Sequence, residues 1–87
     1  METIYKYPIK VTDLQEVYMP TGAEVLAVQC VNGVPYIWAK VNPKNEILAC
    51  RFRLFGTGHP IEDNFKGKYI NTFQMERQNL VFHLFQL

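Results

Sequence analysis

The sequence predicts a mainly β protein: a small antiparallel β-sandwich or partly open barrel built from hairpins, with little helix. Three observations carry this. Apolar residues alternate along several short runs, Gly and Pro fall between those runs, and an Asn32-Gly33 pair separates two of them. No segment of ten or more residues has helical periodicity, and only Glu62–Lys66 has room for a single turn. The 87 residues suffice for one domain, residues 1–87, and a composition of 48% hydrophobic against 20% charged residues is that of a chain that folds.

The elements follow in order. Ile4 to Val11 alternates, with Tyr5, Tyr7, Ile9 and Val11 on one side and Lys6, Pro8 and Lys10 on the other. Pro8 cannot donate a ladder bond, so this is an edge strand. Glu16–Met19 is a short second strand closed by Pro20-Thr21-Gly22. Asn32-Gly33, between Glu24–Val31 and Val34–Val41, is the preferred pair for a type I′ turn, whose central residues both take positive φ. Pairing Val31 with Val34 sets Val28 opposite Ile37 and Leu26 opposite Ala39, which buries Leu26, Val28, Cys30, Pro35, Ile37 and Ala39. A type I turn at Asn42-Pro43-Lys44-Asn45 then pairs Val41 with Glu46 and Ile37 with Cys50. Leu48, Cys50, Phe52 and Leu54 join the core. After the irregular run Gly56-Thr57-Gly58-His59-Pro60, Lys68–Glu76 and Leu80–Leu87 make a hairpin turning at Gln78-Asn79, with Met75 opposite Phe82 and Phe73 opposite Leu84.

The same register sends Ala27, Gln29, Tyr36, Trp38, Lys40, Ala49, Arg51 and Arg53 to the reverse of three adjacent strands. Aromatic rings there offer stacking surfaces, and arginine binds phosphate bidentately. The candidate ligand-binding residues are therefore Tyr36, Trp38, Lys40, Arg51 and Arg53, joined by Thr57 and His59 from a glycine turn that offers amides, a hydroxyl and an imidazole. The turn lacks the spacing of a P-loop or a dinucleotide fingerprint, and the reading without a ligand is a plain glycine turn at a strand end. The aromatic face also suits a subunit interface or a second buried layer under the C-terminal hairpin.

Other classes are disfavoured. A net charge of +1 argues against a nucleic-acid partner. Cys30 and Cys50 lie in apolar surroundings without a CxxC and are read as buried free thiols, although His59 and His83 formally complete four zinc ligands. His83, in an apolar run, reads as a structural or interfacial side chain. There is no Ser, and neither a catalytic residue, a metal site nor a cofactor is expected. No apolar run approaches the ~18 residues of a membrane span, and the first residues alternate unlike a signal peptide, so a soluble intracellular protein without membrane contact is expected.

Tyr5-Lys6-Tyr7-Pro8, Met19-Pro20 with Gly22-Ala23-Glu24, Trp38-Ala39, Gly56-Thr57-Gly58-His59-Pro60-Ile61 and Val81-Phe82-His83 together resemble a family of small phage and prophage proteins. The resemblance covers nearly the whole chain and carries no catalytic residues across. By analogy with phage anti-CBASS proteins that sequester cyclic dinucleotides, it implies a non-enzymatic immune-evasion protein of the host cytoplasm. Such a protein holds a cyclic nucleotide defence signal within a homo-oligomer, a dimer or tetramer. The alternative is a protein-binding inhibitor or interaction module that engages a host factor through an edge strand or the same aromatic face.

Overall fold

A computed structural model describes residues 1–75 and 79–87. The strands are β1 (Thr3–Pro8), β2 (Leu14–Pro20), β3 (Glu24–Val31), β4 (Val34–Val41), β5 (Ile47–Gly56), β6 (Lys68–Met75) and β7 (Leu80–Gln86), with no helix among the described residues. They form two antiparallel sheets, ordered β1-β4-β3 and β2-β5-β7-β6. The sheets pack face to face and do not close into a barrel, so the sandwich form is the one adopted.

The β3–β4 hairpin turns as its sequence requires. Asn32 and Gly33 have φ of 51° and 81°, Val31 faces Val34, and Val28 faces Ile37. Beyond Ala27 the register shifts, and Ala39 faces Val25 in place of Leu26. This bulge turns Leu26 out to 46% exposure and lets Val25 and Val28, three residues apart, both pack on the core.

The expected pairing of β4 with β5 does not form. The turn itself does: the Asn45 N–H donates to the Asn42 carbonyl at 3.0 Å, and the Lys44 N–H to Asn42 Oδ1 at 3.1 Å. Both edges of β4 are already occupied, by β1 and β3. Thr21, just after β2, captures the chain instead. Its N–H and its hydroxyl each donate to the Glu46 carbonyl at 2.7 Å, and the Asn45 side-chain amide donates to the Thr21 carbonyl at 2.9 Å. The chain therefore crosses to the other sheet, where β5 pairs with β2 (Val17 facing Cys50) and with β7 (Leu54 facing Leu84). Leu48, near the start of β5, is 48% exposed and not in the core.

The core lies between the inner faces. Val28, Ile37, Ala39 and Val41 from one sheet meet Val17, Met19, Phe52, Leu54, Phe73 and Leu84 from the other, with Ile9 at one side. Cys30 and Cys50 are free thiols, half-buried and not fully buried as expected. Burial pushes the Cys50 thiol above its ordinary value.

The β6–β7 hairpin is offset by two positions from expectation, with Met75 facing Leu80 and Phe73 facing Phe82. An even offset keeps the side chains of Thr72 to Met75 and of β7 on their expected faces. Glu76 and Gln78, to which the expected strand end and turn were assigned, lie outside the described residues. A second bulge, between Tyr69 and Asn71, is decisive for the site. Residues three apart in a regular strand point to opposite faces; the extra residue puts both Tyr69 and Thr72 on the outer face. The single turn expected within Glu62–Lys66 is present as a Phe65 N–H bond to the Glu62 carbonyl at 2.9 Å.

Candidate functional site

The seven residues expected to share one face are divided between two. Ile37 and Ala39 point into the core, so Tyr36, Trp38 and Lys40 lie on the outer face of the first sheet. Phe52 and Leu54 also point inward, so Arg51 and Arg53 lie on the outer face of the second. With the core between them, the aromatic and the arginine groups face away from each other. The expected continuous aromatic and basic surface is thus corrected, because β5 leaves β4 for the other sheet. Two of the cations are ion-paired, and the third sits across from a carboxylate. Lys40 Nζ lies 3.4 Å from Glu24, Arg53 lies 3.1 Å from Glu62, and Arg51 is the cross-strand neighbour of Glu16. On the first sheet Tyr36 and Trp38 pack edge to face at 6.0 Å, with the Lys6 ammonium 4.6 Å from the Tyr36 ring centre.

On the second sheet the chain returns over its own outer face. Segment 57–67 follows β5 and sets Phe65 edge-on against Phe55 (5.1 Å) and Phe85 (5.3 Å), while Tyr69 meets Phe85 at 5.5 Å. Phe55 is only 4% exposed, although it points away from the main core. The Arg53 guanidinium lies over the Phe55 ring at 4.4 Å and hydrogen-bonds Glu62 in the covering segment. That bond holds the Glu62 carboxyl below its ordinary value.

Between this covering segment and strands β6 and β7 lies an open cavity of about 430 Å³, with Ile61 and Tyr69 about half exposed. Phe55, Phe85, Ile61 and Tyr69 give it apolar walls, and Thr57, His59, Thr72 and His83 give it polar groups. Thr72 and His83 are direct cross-strand partners. A row of short hydrogen bonds joins the polar groups: Thr57 Oγ1 to His83 Nε2 at 2.8 Å, His83 Nδ1 to Thr72 Oγ1 at 2.9 Å, and Thr72 Oγ1 to the Tyr69 hydroxyl at 2.6 Å. Gly56 permits the His59 position, since a Cβ there would stand 3.0 Å from the imidazole Cε1 and Nδ1. The Thr57 and His59 amides already donate to the Val81 and Gly56 carbonyls, at 3.1 and 3.0 Å. An anion wrapped by the turn therefore lacks these two donors.

Of the expected residues, Thr57 and His59 line this cavity, Arg53 braces its covering segment, and Tyr36, Trp38 and Lys40 lie on the other sheet. Tyr69 and Thr72 were not expected there, and His83 was read as structural. The glycine turn was the available signal, but its strand partners depend on the bulge and the offset register. A larger groove, about 490 Å³, runs past Tyr7, Lys10, Glu16 and Tyr18 between β1 and β2. Its central amide, Gln15, is engaged with both backbone groups of Lys10, at 2.9 and 2.6 Å. No group of three or more metal-ligating side chains occurs among the described residues.

Fold and cavity together define a small β-sandwich domain with a candidate ligand pocket on one outer face. The chain belongs to the family described as Domain of unknown function (DUF7352), which it matches over residues 1–87. No curated protein and no solved structure matches it.

Proposed function

We propose that this chain is a non-enzymatic phage immune-evasion protein that sequesters a cyclic nucleotide signal of the bacterial host, with a base of that signal held in the cavity beside His83. The observation that carries this reading is the pairing of aromatic walls with a short row of uncharged hydrogen-bonding groups. A base has those two needs, a flat apolar face and a polar edge. Its phosphates stay at the mouth near His59, because no lysine or arginine among the described residues lines the cavity. A cyclic dinucleotide carries two bases, so two copies of the chain, each offering one cavity, enclose what one copy holds by one end. Ile61 and Tyr69, about half exposed in the lining of the cavity itself, provide apolar surface for that association in the host cytoplasm.

The alternative, a protein-binding inhibitor of a host factor, is favoured by the open outer face of the first sheet, where Trp38 and Tyr36 stand beside exposed Ile4 and Leu26. Thermal melting with a panel of cyclic di- and trinucleotides separates the two. A ligand at about 100 times its Kd stabilises the fold by about 2.7 kcal/mol, roughly 10–20 °C for a domain of this size, and is recovered intact after denaturation. No shift with any nucleotide gives the lead to the protein-binding reading, and a cleaved ligand contradicts a sponge.

A further inference from the structure

The row of hydrogen bonds through His83 has a direction. A threonine hydroxyl has one proton to donate. Thr57 Oγ1 lies 3.3 Å from the Val81 carbonyl, which can only accept, and 2.8 Å from His83 Nε2. If Thr57 donates to Val81, it accepts from His83 Nε2–H. The neutral imidazole then has a bare Nδ1, which accepts from Thr72, and Thr72 accepts in turn from the Tyr69 hydroxyl. The opposite direction leaves the Thr57–Val81 bond unmade and the Tyr69 proton without a partner in the row. The first direction makes one more bond, and it leaves the Tyr69 oxygen with only lone pairs to offer the cavity.

We infer that Tyr69 is the specificity-determining residue of the cavity and that, with His83 neutral, it selects a ligand edge that donates a hydrogen bond, such as the amino group of a base. This rests on the nucleotide reading above. Protonating His83 places a proton on Nδ1, so that Thr72 must accept from it and donate to Tyr69 Oη. The Tyr69 proton then turns outward, and the residue changes from acceptor to donor. Among the described residues, the titratable groups facing His83 are Tyr69 from β6 and His59 from the turn; β5 contributes the uncharged Phe55, and none of the described carboxylates, lysines or arginines lines the cavity.

The test has two arms. Nitrogen-15 NMR of the His83 ring at pH 8 is expected to find the Nε2–H tautomer; the Nδ1–H tautomer overturns the assigned direction. Equilibrium binding then compares adenosine with purine riboside, which lacks the amino group, at pH 8 and at an acid pH where the same spectrum shows the His83 ring doubly protonated. Adenosine should bind about three- to tenfold more tightly at pH 8, and the preference should vanish or invert at the acid pH. Tyr69→Phe, which keeps the ring, should bring the two affinities together at both pH values. A preference that survives in Tyr69→Phe, or that is the same at both pH values, overturns the inference. If neither nucleoside binds, the nucleotide reading fails and this selection with it; the tautomer result distinguishes that outcome from a wrongly assigned direction.

Discussion

The two outer faces of the sandwich both carry clustered aromatic rings but differ in what lies over them. On the first sheet Tyr36 and Trp38 are shielded chiefly by each other and by Lys6, and face solvent. On the second, segment 57–67 lays Phe65 across Phe55 and Phe85 and ties itself down through Glu62 to Arg53. One face remains surface, whereas the other becomes a second small core with a cavity at its edge. Rings alone do not make a site: a chain segment must wall them.

The largest effect expected from breaking this contrast is in stability. Phe55→Ala should cost about 3–5 kcal/mol, as should Phe52→Ala in the inner core, whereas Trp38→Ala on the open face should cost about 1–2 kcal/mol. Urea unfolding of the three variants measures this, and equal losses for Phe55 and Trp38 would erase the distinction. Gly56→Ala is expected next, at about 1 kcal/mol. Its new Cβ meets the His59 ring at 3.0 Å and displaces it from the cavity wall, so nucleotide affinity should fall more than stability.

A smaller effect is expected from Glu62. Its folded-state value is depressed below 4.5, so the fold favours the carboxylate. The contribution is present above the unfolded value and lost as pH falls through the folded one. Relative to Glu62→Gln, the parent chain should therefore lose its advantage below about pH 4.5, seen as converging melting temperatures. The smallest effect is at Cys50, whose raised value means less thiolate at a given pH. Below its unfolded value this burial is neutral or favourable to the fold, and the benefit is lost as pH rises through the folded value. Alkylation of Cys50 at pH 8 should be slower in the folded chain than in urea; equal rates would mean the thiol is not shielded.

The fold class, the β3–β4 hairpin and the burial of Val28, Ile37, Ala39 and Phe52 were legible because each depends on local signals: alternation and an Asn-Gly pair. The partner of β5 was not. It is decided by competition between distant segments, with both edges of β4 filled and Thr21 holding the Glu46 carbonyl. The two bulges were equally hidden, since an extra residue leaves the composition of a strand unchanged. Missing the first placed Leu26 inside. Missing the second separated Tyr69 from Thr72, and with them the cavity from its hydrogen-bonding edge. Thr57 and His59 stood out because glycines flank them, whereas His83 acquires its partners only across strands.

The most direct test of the central claim is a titration of the nitrogen-15-labelled chain with a cyclic dinucleotide, followed by amide chemical shifts. The perturbed amides should cluster at 56–59, Ile61, Tyr69, Thr72, His83 and Phe85, while those of Tyr36, Trp38 and Lys40 stay in place. Shifts concentrated on Tyr36 and Trp38, or no shifts at millimolar ligand, would contradict it.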